Sequence, residues 1–199
     1  MSSKRVFIPV LLIAAFIAAG VMAQEATPAK PDTAAQAKPK NVVQLVTVEP
    51  FDYCAVEMTG DFQQHGFAFE TLYSEVQAQG VMIQDAPFGV YYNSPDQVPV
   101  DSLKWEIGQV MSEKKDLTAP LKLKRWGYTT LAAIEYDGAF NSPEMANVYG
   151  SLFAWIGQNG YVPAGPFMEA FLNMPGQTAD GGWGGHVRIS IPVQKQPAQ

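Results

Sequence analysis

The sequence predicts an α+β fold: two pseudo-symmetric strand–helix–strand–strand units forming a mixed sheet, with the helices on one side and a central cleft. Three observations carry this prediction. Residues 51–110 and 127–193 read as one unit written twice. Leu72-Tyr73-Ser74-Glu75-Val76-Gln77-Ala78-Gln79-Gly80 lines up with Leu152-Phe153-Ala154-Trp155-Ile156-Gly157-Gln158-Asn159-Gly160 at an offset of 80 positions, and Ala86-Pro87-Phe88 with Asn93-Ser94-Pro95 mirrors Gly165-Pro166-Phe167 with Asn173-Met174-Pro175. Within each copy, segments of alternating polarity flank one segment with apolar residues three and four apart, the marks of strands and of a one-sided helix. A duplicated unit of this kind packs about a pseudo-two-fold axis, whose seam offers a pocket.

The elements follow in order. Lys4 and Arg5 precede an almost entirely apolar run, Val6 to Gly20, and Val21-Met22-Ala23 offers a cut before Gln24. This pattern predicts an export signal over residues 1–23 and a periplasmic location; the alternative is an inner-membrane anchor formed by residues 6–23. Residues 24–41, rich in Ala, Pro, Lys and Gln, predict a disordered linker. The domain is expected over 42–195, with the first unit at 42–111 and the second at 120–195.

In the first unit, Phe51 to Met58 reads as a strand. Phe69, Leu72, Tyr73 and Val76 mark a helix that Gly80 ends, and Phe88 to Tyr92 and Lys104 to Val110 are two more strands. In the second, Tyr128, Thr130, Ala132, Ile134 and Tyr136 alternate with their neighbours as a strand does until Asp137-Gly138 breaks it. Ser142-Pro143-Glu144 starts a helix with a capping hydroxyl, a proline in the first turn and an acid at the positive end of the dipole. Its apolar face is expected to comprise Met145, Val148, Tyr149, Leu152, Phe153 and Ile156, and Asn159-Gly160 to end it. Pro166 to Leu172 and the set Val187, Ile189, Ile191 and Val193 supply two further strands.

Composition narrows the function. An apolar content of 47% supports a core, and a net charge of -6 argues against a nucleic-acid partner, which would need a basic face. Cys54 is the single cysteine, so no internal disulfide forms, and its strand setting predicts a small buried apolar residue. His65 and His186, the two histidines, stand in no ligand-spacing motif, so neither a metal site nor a cofactor is expected. The segment Gly181-Gly182-Trp183-Gly184-Gly185 lacks the Lys-Ser/Thr of a phosphate loop.

The chain resembles the GyrI-like small-molecule-binding family, also the effector-binding domain of AraC- and MerR-type transcription regulators. Met58-Thr59-Gly60-Asp61-Phe62, Phe88-Gly89-Val90-Tyr91-Tyr92-Asn93, Tyr136-Asp137-Gly138, Leu152-Phe153-Ala154-Trp155-Ile156, Gly160-Tyr161, Gly165-Pro166-Phe167-Met168-Glu169-Ala170-Phe171-Leu172-Asn173 and Ile189-Ser190-Ile191-Pro192-Val193 carry the resemblance across residues 42–195. It implies a ligand pocket in the cleft, with an acidic residue, here Glu169, on the middle strand of the second unit. It further implies cationic aromatic ligands in some relatives, protein partners in others, and hydrolysis of strained cyclopropane rings in a subset. The export signal expected over residues 1–23 and the absence of an expected DNA-binding segment depart from the family pattern and count against transcription regulation and gyrase inhibition.

Glu169 stands alone in an apolar strand, on the same face as Phe167 and Phe171. A carboxylate there is costly to bury unpaired. Either Arg188 on the neighbouring strand neutralises it, or a cationic ligand does, aided by cation–π attraction. The residues leave both open, and the resemblance implies the ligand. The remaining ligand-binding candidates are Tyr91, Tyr92 and Tyr128 on strands, Trp155 on the second helix as cleft lining or lateral packing, and Trp183 as a lid or a surface anchor. The function expected is that of an exported protein binding a small amphipathic or cationic molecule, with no stable membrane contact once the signal is cut; a protein partner remains open. The alternative is a hydrolase of strained or electrophilic compounds with Glu169 as base and Tyr128 or Tyr91 as acid.

Overall fold

A computed structural model describes residues 41–140, 142–179 and 182–197. The predicted export segment and, apart from Asn41, the predicted linker lie outside these. The strands are β1 (Gln44–Thr47), β2 (Phe51–Thr59), β3 (Ile83–Tyr91), β4 (Lys104–Met111), β5 (Leu121–Trp126), β6 (Thr130–Ala139), β7 (Tyr161–Pro163), β8 (Phe167–Phe171), β9 (Gly176–Gln177) and β10 (Trp183–Lys195); the helices are α1 (His65–Ala78) and α2 (Pro143–Gln158). The fold is α+β, as predicted. One open sheet runs β1-β6-β10-β8-β3-β4-β2-β5, with β7 and β9 attached to β10. Reading outward from the central β8–β3 pair, the order β8-β10-β6 on one side corresponds to β3-β4-β2 on the other.

The expected mixed sheet is instead antiparallel at each of its pairings. The reason lies in the crossover. A helix between β2 and β3 makes those strands run the same way, but β4 inserts between them; β10 inserts likewise between β6 and β8. Two edge strands, β1 and β5, extend the sheet beyond the predicted elements.

Both helices lie on one face. α1 buries Ala68, Leu72 and Val76, and α2 buries Met145, Val148, Leu152 and Ile156, in a core shared with Ile107, Ile134, Val187, Ile189 and Ile191. The Ser142 hydroxyl accepts from the Met145 amide at 3.1 Å, the predicted cap. Gly80 (φ +60) and Gly160 (φ +70) follow the two helix ends in the left-handed conformation that glycine adopts without a Cβ penalty. The expected apolar face of α2 is narrower than the pattern suggests: Phe153 is 42% exposed, because it projects sideways over β8. A second, smaller apolar cluster of Tyr53, Phe88, Val90, Trp126, Leu131 and Met168 lies on the opposite face, since strand alternation sends neighbouring side chains to opposite faces. Cys54 is fully buried, its thiol 3.6 Å from the Gln109 carbonyl and its pKa pushed up by burial.

Candidate functional site

The two halves meet where β3 pairs with β8, in the register Gly89↔Glu169 and Tyr91↔Phe167. Glu169 faces the helices. Tyr149 of α2 donates its hydroxyl to Oε1, and Tyr91 of β3 donates to Oε2 at 3.2 Å. The carboxyl pKa is raised: burial outweighs the two tyrosine hydrogen bonds, which act the other way. Burial, reinforced by the Glu169 charge, lifts the Tyr91 and Tyr149 hydroxyls well above the ordinary range, so both stay protonated donors.

Local packing fixes each group. The Tyr91 ring doubles back over Gly89, where a Cβ would come 2.5 Å from its hydroxyl, so glycine opposite Glu169 is what lets the phenol reach the carboxylate. Phe62 packs edge-on against Tyr91 with ring centroids 5.2 Å apart. His65, the first residue of α1, stacks at a tilt on Trp105 at 4.5 Å, and its Nε2 lies 2.8 Å from the Tyr91 hydroxyl. Its Nδ1 meets the Phe62 carbonyl. That carbonyl is fixed by a short 3-10 turn, Phe62–Gln64, in which the Asp61 side chain accepts from the Gln63 amide. Phe167 packs against Tyr149 and Phe153, and Phe171 against Phe69 and Phe140. The result is a carboxyl group set among aromatic side chains from both helices and the sheet.

The structure brings Glu169, Phe167, Phe171 and Tyr91 together. It does not bring the other four candidates to them. Tyr92 is on the opposite face, where the Lys124 ammonium sits 5.8 Å above its ring. Tyr128 precedes β6 and packs edge-on against Trp126 at 5.0 Å, its ring over Gly165. Trp155 stacks on Tyr161 with ring centroids 6.1 Å apart, a lateral packing contact. Trp183 is 61% exposed at the start of β10, six residues before Ile189, the partner of Glu169, which at ~3.3 Å per residue is roughly 20 Å away. Arg188 pairs with Ala170 in register and turns to the opposite face, where its guanidinium meets Glu135 at 2.7 Å. Among the described residues no Lys or Arg forms an ion pair with Glu169.

Tyr149 and His65 were missed by sequence reasoning. Tyr149 carried a signal: it is the one hydroxyl on the expected apolar face of α2, and such a group must find a partner on the strand below. His65 carried none, because only the fold sets the start of α1 beside β3. An open depression of about 260 Å³, lined among others by Asp137, Asn173, Gln177 and Thr178, lies near the β6–β10 end and has no aromatic wall.

Solved structures share this fold. The C-terminal domain of EcmrR superimposes with a TM-score of 0.64 at 16% identity, covering 77% of this chain and 98% of that domain. In the EcmrR–DNA complex the match covers 57% of the EcmrR chain. A hydrolase from Listeria innocua gives a TM-score of 0.57 at 12% identity (78% of this chain, 93% of that one), and SAV2435 bound to tetraphenylphosphonium gives 0.51 at 15% (77% and 94%). At these identities the likeness is one of fold alone. No curated protein sequence matches the chain. Sequence comparison with protein families agrees with the fold and is independent of it: over residues 42–194 the chain belongs to the GyrI-like small molecule binding domain family.

Proposed function

We propose that this protein is an exported binder of small amphipathic cations, held in the cleft between α1 and α2 against the Glu169 carboxylate. The observation that carries the reading is a half-buried carboxyl group whose hydrogen-bond partners, Tyr91 and Tyr149, are both neutral. A lipophilic cation supplies the missing charge, and the surrounding rings add cation–π attraction and apolar contact. The SAV2435 structure, of the same fold, contains such a cation, tetraphenylphosphonium.

The experiment is calorimetric titration of the full chain with tetraphenylphosphonium. Glu169→Gln keeps shape and removes charge; since a hydrogen bond or contact to a charged group is worth about 1.5–3 kcal/mol, it should weaken binding by roughly 10- to 100-fold. Equal affinity in the variant would refute the assignment. Export is tested separately: protein recovered from the cell envelope should begin at Gln24, whereas an intact N-terminus would indicate the membrane anchor. The hydrolase reading has one structural observation in its favour, the contact of Glu169 with Tyr91. It requires turnover of a strained-ring substrate that Glu169→Gln abolishes.

A further inference from the structure

The contacts of His65 bear on how the cleft handles charge. Nδ1 faces the Phe62 carbonyl, which only accepts, so Nδ1 keeps a hydrogen in every state. Nε2 lies 2.8 Å from the Tyr91 oxygen, and that oxygen lies 3.2 Å from Glu169 Oε2. Tyr91 has one proton and two neighbours. If His65 is neutral and Glu169 ionised, one of the two contacts has no hydrogen in it. One added proton completes both. It rests on Oε2, with Tyr91 donating to Nε2, or on Nε2, with Tyr91 donating to Oε2.

We propose that His65, Tyr91 and Glu169 hold one shared proton, and that a cation entering beside Glu169 expels it through His65. The inference rests on the cleft reading above and makes His65 a positioning residue that sets the charge of the ligand-binding carboxyl. One cation enters, Glu169 becomes a carboxylate, and one proton passes across Tyr91 to Nε2 and on to solvent. Glu169 and His65 are both partly buried; Glu169 is flanked by Tyr149 of α2, and His65 stands at the start of α1. The titratable groups facing the trio are Tyr149 from α2, already committed to Oε1, and none from β4, which presents the neutral Trp105. His65 does not retain the proton, because burial lowers its pKa and the positive end of α1 disfavours an imidazolium.

Two measurements on the full chain test this. The first needs no ligand. The protein has two histidines, so proton NMR gives two imidazole titrations. Glu169→Gln should lower the His65 midpoint by about one pH unit; His186 contacts Glu135 on the opposite face, away from the substitution. Identical His65 midpoints in wild type and variant overturn the shared proton. The second is tetraphenylphosphonium titration in buffers of different ionisation enthalpy. Wild type should release about one proton per cation bound, with affinity rising about tenfold per pH unit below the midpoint of the trio. His65→Gln, whose amide donates to Tyr91 and so leaves the Tyr91 proton to Glu169, should bind without releasing a proton. Binding to wild type without release overturns the expulsion. Coupled midpoints with no cation bound would overturn the cation reading while upholding the shared proton.

Discussion

Replacing Lys124 by methionine should lower the stability of the protein by about 3 kcal/mol, the lower end of the range for breaking a buried ion pair. Glu106, in the middle of β4, has no exposed surface. Its Oε1 accepts from the Tyr53 hydroxyl at 2.6 Å, and its Oε2 lies 2.9 Å from the Lys124 ammonium without a well-aligned hydrogen bond. Lys124 also reaches Glu57 at 2.6 Å and is 25% exposed. Burial works against its charge, yet the close carboxylates of Glu106 and Glu57 outweigh burial and raise its pKa. Burial, then the hydrogen bond to Glu106, raises that of Tyr53. Without Lys124 the carboxylate stays inside with one neutral donor. Lys122→Ala is the contrast: its pair with Glu57 is solvent-exposed, and exposed pairs contribute at most about 1 kcal/mol. Urea unfolding measures both. Adding Glu106→Leu to Lys124→Met should recover most of the loss, because the uncompensated charge is then gone. A double variant no more stable than the single one would show that packing, not charge, sets the cost.

Leu72→Ala and Leu152→Ala should each cost about 2–5 kcal/mol, the range for emptying a fully buried leucine site. Both side chains are completely buried, at matching positions 80 residues apart, each central to the apolar stripe of its helix. Leu72 lies between Ala68 and Val76 at intervals of four; Leu152 lies between Val148 and Ile156 in the same way. Each helix covers the strands of its own half, α1 against β2 and β4 and α2 against β6 and β7. Truncation at either position therefore opens a hole that neighbouring strands, held in one continuous sheet, close only in part. Thermal unfolding should show comparable losses from the two variants. A loss below about 1 kcal/mol at one of them would mean that its helix is not a structural part of the core.

The helices and inner strands were legible because their signals are local. The stripe Met145, Val148, Leu152, Ile156 and the alternation Val187, Ile189, Ile191, Val193 state which side is buried wherever the chain goes. The alternation Leu121-Lys122-Leu123-Lys124 of β5 does not show which face is buried, because Lys124 reaches the buried Glu106 while Leu123 is 37% exposed. Strand direction was misjudged because periodicity says nothing about which strand inserts between two others.

The site divides along the same line. The sequence by itself determined a lone acid in an apolar strand, flanked on its own face by Phe167 and Phe171. It left open whether Arg188 would neutralise that acid, since two residues on adjacent strands face each other or turn apart according to register. Tertiary structure decided this: pairing Glu169 with Ile189 sends Arg188 to the opposite face. The same register set Glu169 against Gly89, and with it Tyr91 and His65, residues 78 and 104 positions away in the chain. Side-chain periodicity is a property of a segment. Register is fixed only when the sheet closes up between the two halves, and a shift of one residue would reverse every facing side chain.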